Sequence, residues 1–390
     1  MKRIRISIAQ TVCCALLVVA AVSGCSSTTS VSCPDYCPPD PESDQVAMAT
    51  DIALRYIDTH PYENEQWDWR SGVLMHGLAE LYLVTGDQRL HDYYQSWLDY
   101  RIDQGYQLVW SDSCPPAITA VALLNEAPSD DYQRVVDDTL EYLDVTAPRT
   151  EEGGISHNGI LGKTSVWLDS LFMFGMVLNR WGEIEGNEAR LDMMSEQIQI
   201  FADVLQDDNG FMRHAQDWPG YDESVYWARG NSWVVAALAD YLRIRLEHDQ
   251  TDLEVEQIFR EHVRAMIGAQ DEGTGRWLTV MSHPDEADNY LETSASALFA
   301  YGIARAYRFG LLGDAERNVA TKAIEGVKQM VVDEGDGPVV TGVSTATDPW
   351  PLRSPTGGED GYLDVPVEDD VNYGVGAVIL ALIETSGLPE

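Results

Sequence analysis

The chain has 390 residues and carries 64 Asp and Glu against 25 Lys and Arg, a formal net charge of −39. A field of that sign repels phosphate backbones and anionic lipid, so nucleic acid and an electrostatic membrane surface are excluded as partners. Any acidic substrate would need a local basic site, and the acidity itself reads as a solubility feature of a saline habitat.

In chain order, "MKRIR" is a basic start, "VCCALLVVAAV" an apolar run too short to span as a mature helix, and "VSGC" ends at Cys25. Residues 1–24 therefore read as a signal peptide. The last four residues resemble the lipobox of bacterial lipoproteins, which implies a lipid anchor on Cys25 and a place in the cell envelope, periplasmic or on the outer surface. An ordinary secretory signal is the alternative. Residues 25–43, rich in Ser, Thr, Pro and acid, read as a flexible tether. Cys33 and Cys37 can pair locally in an oxidising compartment, or one of them with Cys114; they are too few for a zinc site.

From residue 44 to 390 the sequence predicts one domain. Apolar residues recur at helical spacing over 44–59, 69–86, 88–103, 115–127, 130–145, 164–181, 188–206, 229–246, 252–268, 292–309, 314–332 and 372–386. Only "GRWLTVM" and "GPVVTGV" read as strands. Helices joined by alternating short and long loops suggest an all-α ring of hairpins, an (α/α)6 barrel; the count alone also permits an α-solenoid, but no repeat of fixed period is visible. The long loops (60–68, 104–114, 146–163, 207–228, 269–291 and 333–371) hold much of the Trp, His, Arg and Gly. In a barrel they fall at one end and line an aromatic, polar cleft suited to sugars.

Asp169 is the one charge in "TSVWLDSLFMFGMVL". The spacing places it one turn into a helix after a Thr164 or Ser165 cap, on a stripe with Phe172, Met173 and Met176. Burial raises a carboxyl's pKa and a helix N-terminus lowers it, so the group is either an acid/base or a structural hydrogen-bonding Asp; periodicity leaves both open. His157, in the Gly-rich loop upstream, and Trp167 are candidate substrate contacts. His214, Arg229 and Trp233 join them, the last two being four apart on one helix face. Asp112, in "VWSDSCPPA", is a second candidate acid or an N-cap. No G-x-S-x-G, P-loop, H-E-x-x-H or dinucleotide motif is present, and "DEGDG" lacks the spacing of a calcium loop. No metal and no cofactor is assigned.

These segments together resemble the unsaturated glucuronyl and rhamnogalacturonyl hydrolases, glycoside hydrolase families 88 and 105, family 105 most of all. "PRTEEGGISHNGILGKTSVWLDSLFM" is similar to the family run ending Trp-Leu-Asp-Gly-Leu-Tyr-Met; "WARGNSWVVAALADYL", "ETSASALFAYGIARAYRFG" and "NYGVGAVILALIE" follow in the expected order. The resemblance implies an (α/α)6 barrel acting on lyase-generated oligosaccharides that end in a 4,5-unsaturated uronic acid. It implies that Asp169 protonates C4 and assists water addition at C5, with Asp112 in support. His157, Trp167, His214, Arg229 and Trp233 would line the sugar site, Arg229 or a histidine meeting the uronate carboxylate. Ser170 and Ser232 stand where the family usually has Gly, and Tyr373 where a His is common. The alternatives are a conventional inverting glycosidase using Asp169 and Asp112, and a non-catalytic glycan-binding lipoprotein.

Overall fold

The structure is a computed structural model and describes residues 38–389 except 187 and 334. The signal, Cys25, Cys33 and Cys37 lie outside the described residues. Thirteen α-helices occur among those described: α1 (Asp44–Thr59), α2 (Trp69–Thr85), α3 (Gln88–Gln104), α4 (Pro116–Glu126), α5 (Asp130–Glu141), α6 (Ser170–Met173), α7 (Gly175–Glu185), α8 (Glu188–Leu205), α9 (Ala228–Glu247), α10 (Leu253–Gly268), α11 (Thr293–Arg308), α12 (Asp314–Lys328) and α13 (Asn372–Thr385).

Local chemistry sets many of the boundaries. Ser43, Asp68, Ser129 and Asp252 accept hydrogen bonds from first-turn amides of α1, α2, α5 and α10, and Gly86 ends α2 in the left-handed region at φ 68°. α1 buries Val46, Ala49, Ile52, Ala53 and Tyr56, a single stripe at helical spacing. By contrast α9, α11 and α13 are buried nearly all round. That difference separates the two layers of the fold.

The all-round helices form a closed inner ring: α2 packs on α4, α4 on α7, α7 on α9, α9 on α11, α11 on α13, and α13 back on α2. α1, α3, α5, α8, α10 and α12 pack outside it. Counting α6 and α7 as one inner helix interrupted at Phe174, this is the six-hairpin (α/α)6 barrel. Ring closure between α2 and α13 needs two glycines in contact: a Cβ on Gly376 would lie 2.6 Å from the Val73 carbonyl, and one on Gly77 2.9 Å from the Gly376 carbonyl. The short connections run from inner to outer helices and each long loop runs into the N-terminus of an inner helix. All six long loops therefore gather at one end.

Two predicted helices are corrected. The helix expected over 164–181 starts at Ser170, because residues 165–168 pair with 214–216: the Leu168 amide donates to the His214 carbonyl and the Gln216 amide to that of Val166. The helix expected to reach 332 stops at Lys328, because Val331–Asp333, led by the β-branched Val331 and Val332, pairs antiparallel with Pro338–Val340. Strands were expected within 275–281 and 337–343, and Trp277–Leu278 pairs with Leu291–Glu292 while Val343–Ser344 pairs with Val367–Glu368. At the end of the stretch expected as a tether, the Asp40 amide donates to Ser386 Oγ at 3.0 Å. Cys114 is a free, buried thiol. None of the described helices is long and apolar enough to cross a membrane.

Candidate active site

The long-loop end of the ring encloses a narrow chamber. Asp112, His157, Trp167, Asp169, Arg229 and Trp233, six of the seven catalytic and sugar-site residues proposed from sequence, line it together with Trp69, Met173, Trp227 and the loop residues Ala346, Thr347 and Asp348. His214 does not line it. Its ring stacks on Trp227 at 4.5 Å, and its Nδ1 is 2.6 Å from the Tyr362 hydroxyl. It therefore braces the aromatic wall from behind.

Asp169 sits just before α6, with helical backbone angles (φ −65°, ψ −23°) and no capping bond from its side chain. The expected apolar stripe is real: Phe172, Met173 and Met176 are buried and so is Asp169, 8% exposed. Its Oδ1 has no hydrogen-bond partner among the described residues. Burial, with the Asp348 charge adding to it, raises this carboxyl to a pKa of about 7 against the opposing pull of its own amide and of Arg229.

Asp112 lies on a single 3-10 turn, Ser111–Ser113, ahead of α4. It is not the α4 cap, a position held by Pro115. Burial raises its carboxyl well above the ordinary range, with the charges of Asp169, Asp68 and Asp348 acting in the same direction and Arg70 against. His157 stands between the two acids, Nε2 3.7 Å from Asp112 Oδ2 and Nδ1 3.8 Å from Asp169 Oδ1. Its ring lies flat on Trp167, centroids 4.0 Å apart and planes 8° apart. Burial lowers His157 to about 3, so the ring is neutral at working pH. The closest ligand atoms of Asp112, His157 and Asp169 all lie within 4.8 Å of one another, making this the one group among the described residues spaced to hold a metal ion.

Arg229 differs from its expected role. It is 1% exposed, its Nη1 donates to the Ser344 carbonyl at 2.7 Å and to Ser344 Oγ, and its Nη2 donates to the Thr345 carbonyl at 2.6 Å and Thr347 Oγ1 at 3.2 Å. Glu292 is 3.7 Å away, and the guanidinium lies over Trp227 and Tyr373. Both outer nitrogens are thus engaged in tying the 343–371 loop to α9, and Arg229 acts on the chamber through its field. Tyr373, where a His is common, is part of this cage and donates its hydroxyl to the Ser344 carbonyl. Trp233, one turn along, packs on Phe172 at 4.6 Å and meets the edge of Trp69.

Sequence reasoning missed Trp69, Trp227 and Asp348. Trp69 follows the Asp68 cap and Trp227 precedes Arg229, so both could have been found as aromatics at inner-helix N-termini. Asp348 lies between the short strands Val343–Ser344 and Val367–Glu368 of the long connection from α12 to α13, with no periodic signal to single it out.

The profile of glycosyl hydrolase family 88 matches residues 45–388. The chain belongs to glycosyl hydrolase family 88. An unsaturated rhamnogalacturonyl hydrolase of Bacillus subtilis is 26% identical over 325 residues, covering 82% of this chain and 89% of its own. A family 105 glycoside hydrolase of C. acetobutylicum superposes with a TM-score of 0.78 at 22% identity over 88% of this chain and 99% of its own. A family 88 glycosyl hydrolase from Bacteroides vulgatus does so with 0.71 at 20% identity, covering 87% and 97%. The last two establish the fold, and the family match makes the protein a glycoside hydrolase.

Proposed function

We propose that this family 88 enzyme removes a terminal 4,5-unsaturated uronic acid from oligosaccharides by hydrating the C4=C5 bond. The observation that carries this reading against an inverting glycosidase is the spacing of the acids. Asp112 and Asp169 oxygens come within 4.8 Å of each other around one neutral histidine. An inverting glycosidase needs its two carboxyls roughly 6.5–9.5 Å apart, to hold a water across the sugar ring. Asp169, its carboxyl raised to about 7 by burial, can instead serve one face in both roles. Its proton goes to C4 and leaves positive charge at C5 shared with the ring oxygen. The resulting carboxylate then takes a proton from the water that bonds to C5. The hemiketal opens and the aglycone leaves. Trp69 and the face of Trp167 away from His157 are open to the sugar, and the Nε1 groups of Trp167 and Trp227 have no partner among the described residues and are free to donate. His157, kept neutral by burial, can donate to the uronate but adds no charge.

A retaining glycosidase, with carboxyls roughly 5 Å apart, is the second reading that this spacing favours. A panel of lyase-generated oligosaccharides separates the two: the absorbance of the double bond disappears on turnover under the first, and saturated glycosides are cleaved under the second. No loss of absorbance on any member of the panel sinks the first reading.

The enzyme works in the cell envelope on a lipid anchor at Cys25, a reading that rests on "VSGC" and the preceding signal. Cys25→Ala should move the protein from the membrane to the soluble fraction; unchanged membrane retention counts against the anchor.

A further inference from the structure

Ser111 Oγ, Ser170 Oγ and His157 Nδ1 form a closed triangle with sides of 2.9, 3.0 and 3.0 Å. All three residues are buried. A hydroxyl both donates and accepts, and a neutral imidazole has one N–H and one lone pair. The triangle therefore supports two complete hydrogen-bond patterns. In the first, Ser111 donates to Ser170, Ser170 donates to Nδ1, and the ring proton sits on Nε2, facing Asp112. In the second, Nδ1–H donates to Ser170, Ser170 donates to Ser111, and Ser111 donates to the His157 carbonyl at 3.4 Å, which leaves the Nε2 lone pair facing Asp112. A backbone carbonyl in place of the serines would fix one tautomer. Two hydroxyls in series fix neither.

We propose that Ser111 and Ser170 make His157 a two-way proton bridge between Asp169 and Asp112. Starting from protonated Asp169, ionised Asp112 and the Nε2–H ring, Asp169 gives its proton to Nδ1 as Nε2 gives its own to Asp112. One O–H and one N–H bond break, one of each forms, and the total charge is unchanged. The Ser170 hydroxyl turns off Nδ1 toward Ser111 in the same event, so that Nδ1 is partnered before and after. The two gaps, 3.8 and 3.7 Å, exceed a hydrogen bond, and each carboxyl must rotate toward the ring for the exchange. Both acids have one oxygen, Oδ1, without a hydrogen-bond partner to hold it back among the described residues. The other groups that act on the trio are Arg229 and Asp348 at Asp169, and Asp68, Arg70 and Asp348 at Asp112. His214 beside His157, with Tyr362, Tyr142 and Cys114, is held neutral by burial. In the hydration reaction of the proposed function, on which only this use of the bridge rests, water restores the proton of Asp169 within each turnover, and the bridge serves the resting site, carrying a proton held on Asp112 back to an ionised Asp169 before substrate binds.

The test is nitrogen NMR of the full chain labelled at its histidines, with His157→Gln to assign the ring, and it needs no substrate. Across roughly pH 5 to 9 the Nδ1 and Nε2 signals of His157 should trade N–H-like and lone-pair-like shifts while the ring stays neutral. Ser111→Ala deprives Ser170 of its acceptor and should hold the ring as Nε2–H at every pH. Ser170→Ala should lower kcat about tenfold with KM within about twofold, the size of one lost neutral hydrogen bond. Shifts that stay constant with pH in the unmodified protein, two N–H-like nitrogens, or a Ser111→Ala protein that still switches would each overturn the bridge. Failure of the oligosaccharide panel leaves the NMR result standing, so the two proposals fail separately.

Discussion

Two buried aspartates in the same inner ring have opposite fates. Asp169, at the long-loop end, faces a neutral histidine and an arginine already committed elsewhere. Asp240, on α9 and 11 residues from Arg229, is about 16 Å further along the helix. It is wholly buried, yet Arg305 approaches it to 2.6 Å, Arg243 to 3.2 Å and Arg180 to 3.3 Å. Burial alone would raise Asp240 too, but the three guanidinium groups outweigh it and hold the carboxyl well below its usual range. Glu80, bridged to Arg180 at 3.1 Å, is held at about 2 in the same network. Depth in the protein therefore does not decide the charge of a carboxyl here; the presence of a cation in direct contact does. With Glu384 of α13, 3.2 Å from Arg305, one end of the barrel uses buried acid to lock five inner helices together, and the other keeps it unsatisfied for chemistry.

The sharpest break of that comparison is Asp169→Asn. A group that donates and accepts the transferred proton is worth about 10²–10⁴ in rate, so turnover should fall by that factor while the fold survives. The measurement is kcat on the oligosaccharide that the intact enzyme hydrates best, beside a thermal melt. Retained turnover would mean that the unsatisfied carboxyl is a structural accident.

Asp240→Asn should do the reverse. Removing one partner of a buried ionic network leaves its cations uncompensated and costs about 3–5 kcal/mol, here shared among Arg180, Arg243 and Arg305. Denaturant unfolding should show that loss, and kcat per folded molecule should be unchanged. A fully stable Asp240→Asn protein would show that packing of α9 and α11, rather than the ion cluster, holds this end of the ring.

Much of the near end was legible from sequence and the far end was not. The helix pattern and the alternation of loop lengths gave the ring, because burial periodicity and turn chemistry are local signals. The apolar run around Asp169 flagged a misplaced charge, and loop position brought His157, Trp167 and Arg229 to the same end. Three things needed the third dimension. The start of α6 depends on residues 165–168 being claimed by 214–216, a long-range pairing that overrides local helical spacing. The engagement of Arg229 depends on Ser344, Thr345 and Thr347, more than 110 residues away along the chain. Arg180, Asp240 and Arg305 read as ordinary charges on separate helices until the ring closes around them.

The smallest expected effect follows from the signs of the two pKa shifts. For Asp169 the folded value of about 7 lies above the ordinary 3.8. Below 3.8 the folded and unfolded chains both hold the proton, and the group's contribution to stability is fully present. As the pH rises toward 7 the unfolded chain releases its proton first, and that contribution is lost. Asn does not titrate, so the Asp169→Asn protein should gain on the unmodified protein between pH 4 and 7 and run parallel to it above, by at most a few kcal/mol and by less where Asp112 shares the charge. For Asp240 the folded value is depressed, so its contribution is present above the unfolded value and is lost as pH falls through the folded one. The deficit of Asp240→Asn should therefore shrink only in strong acid. Melts of the three proteins across a pH series read both trends at once, and two difference curves of the same slope would show that the ends of the barrel do not treat their acids differently after all.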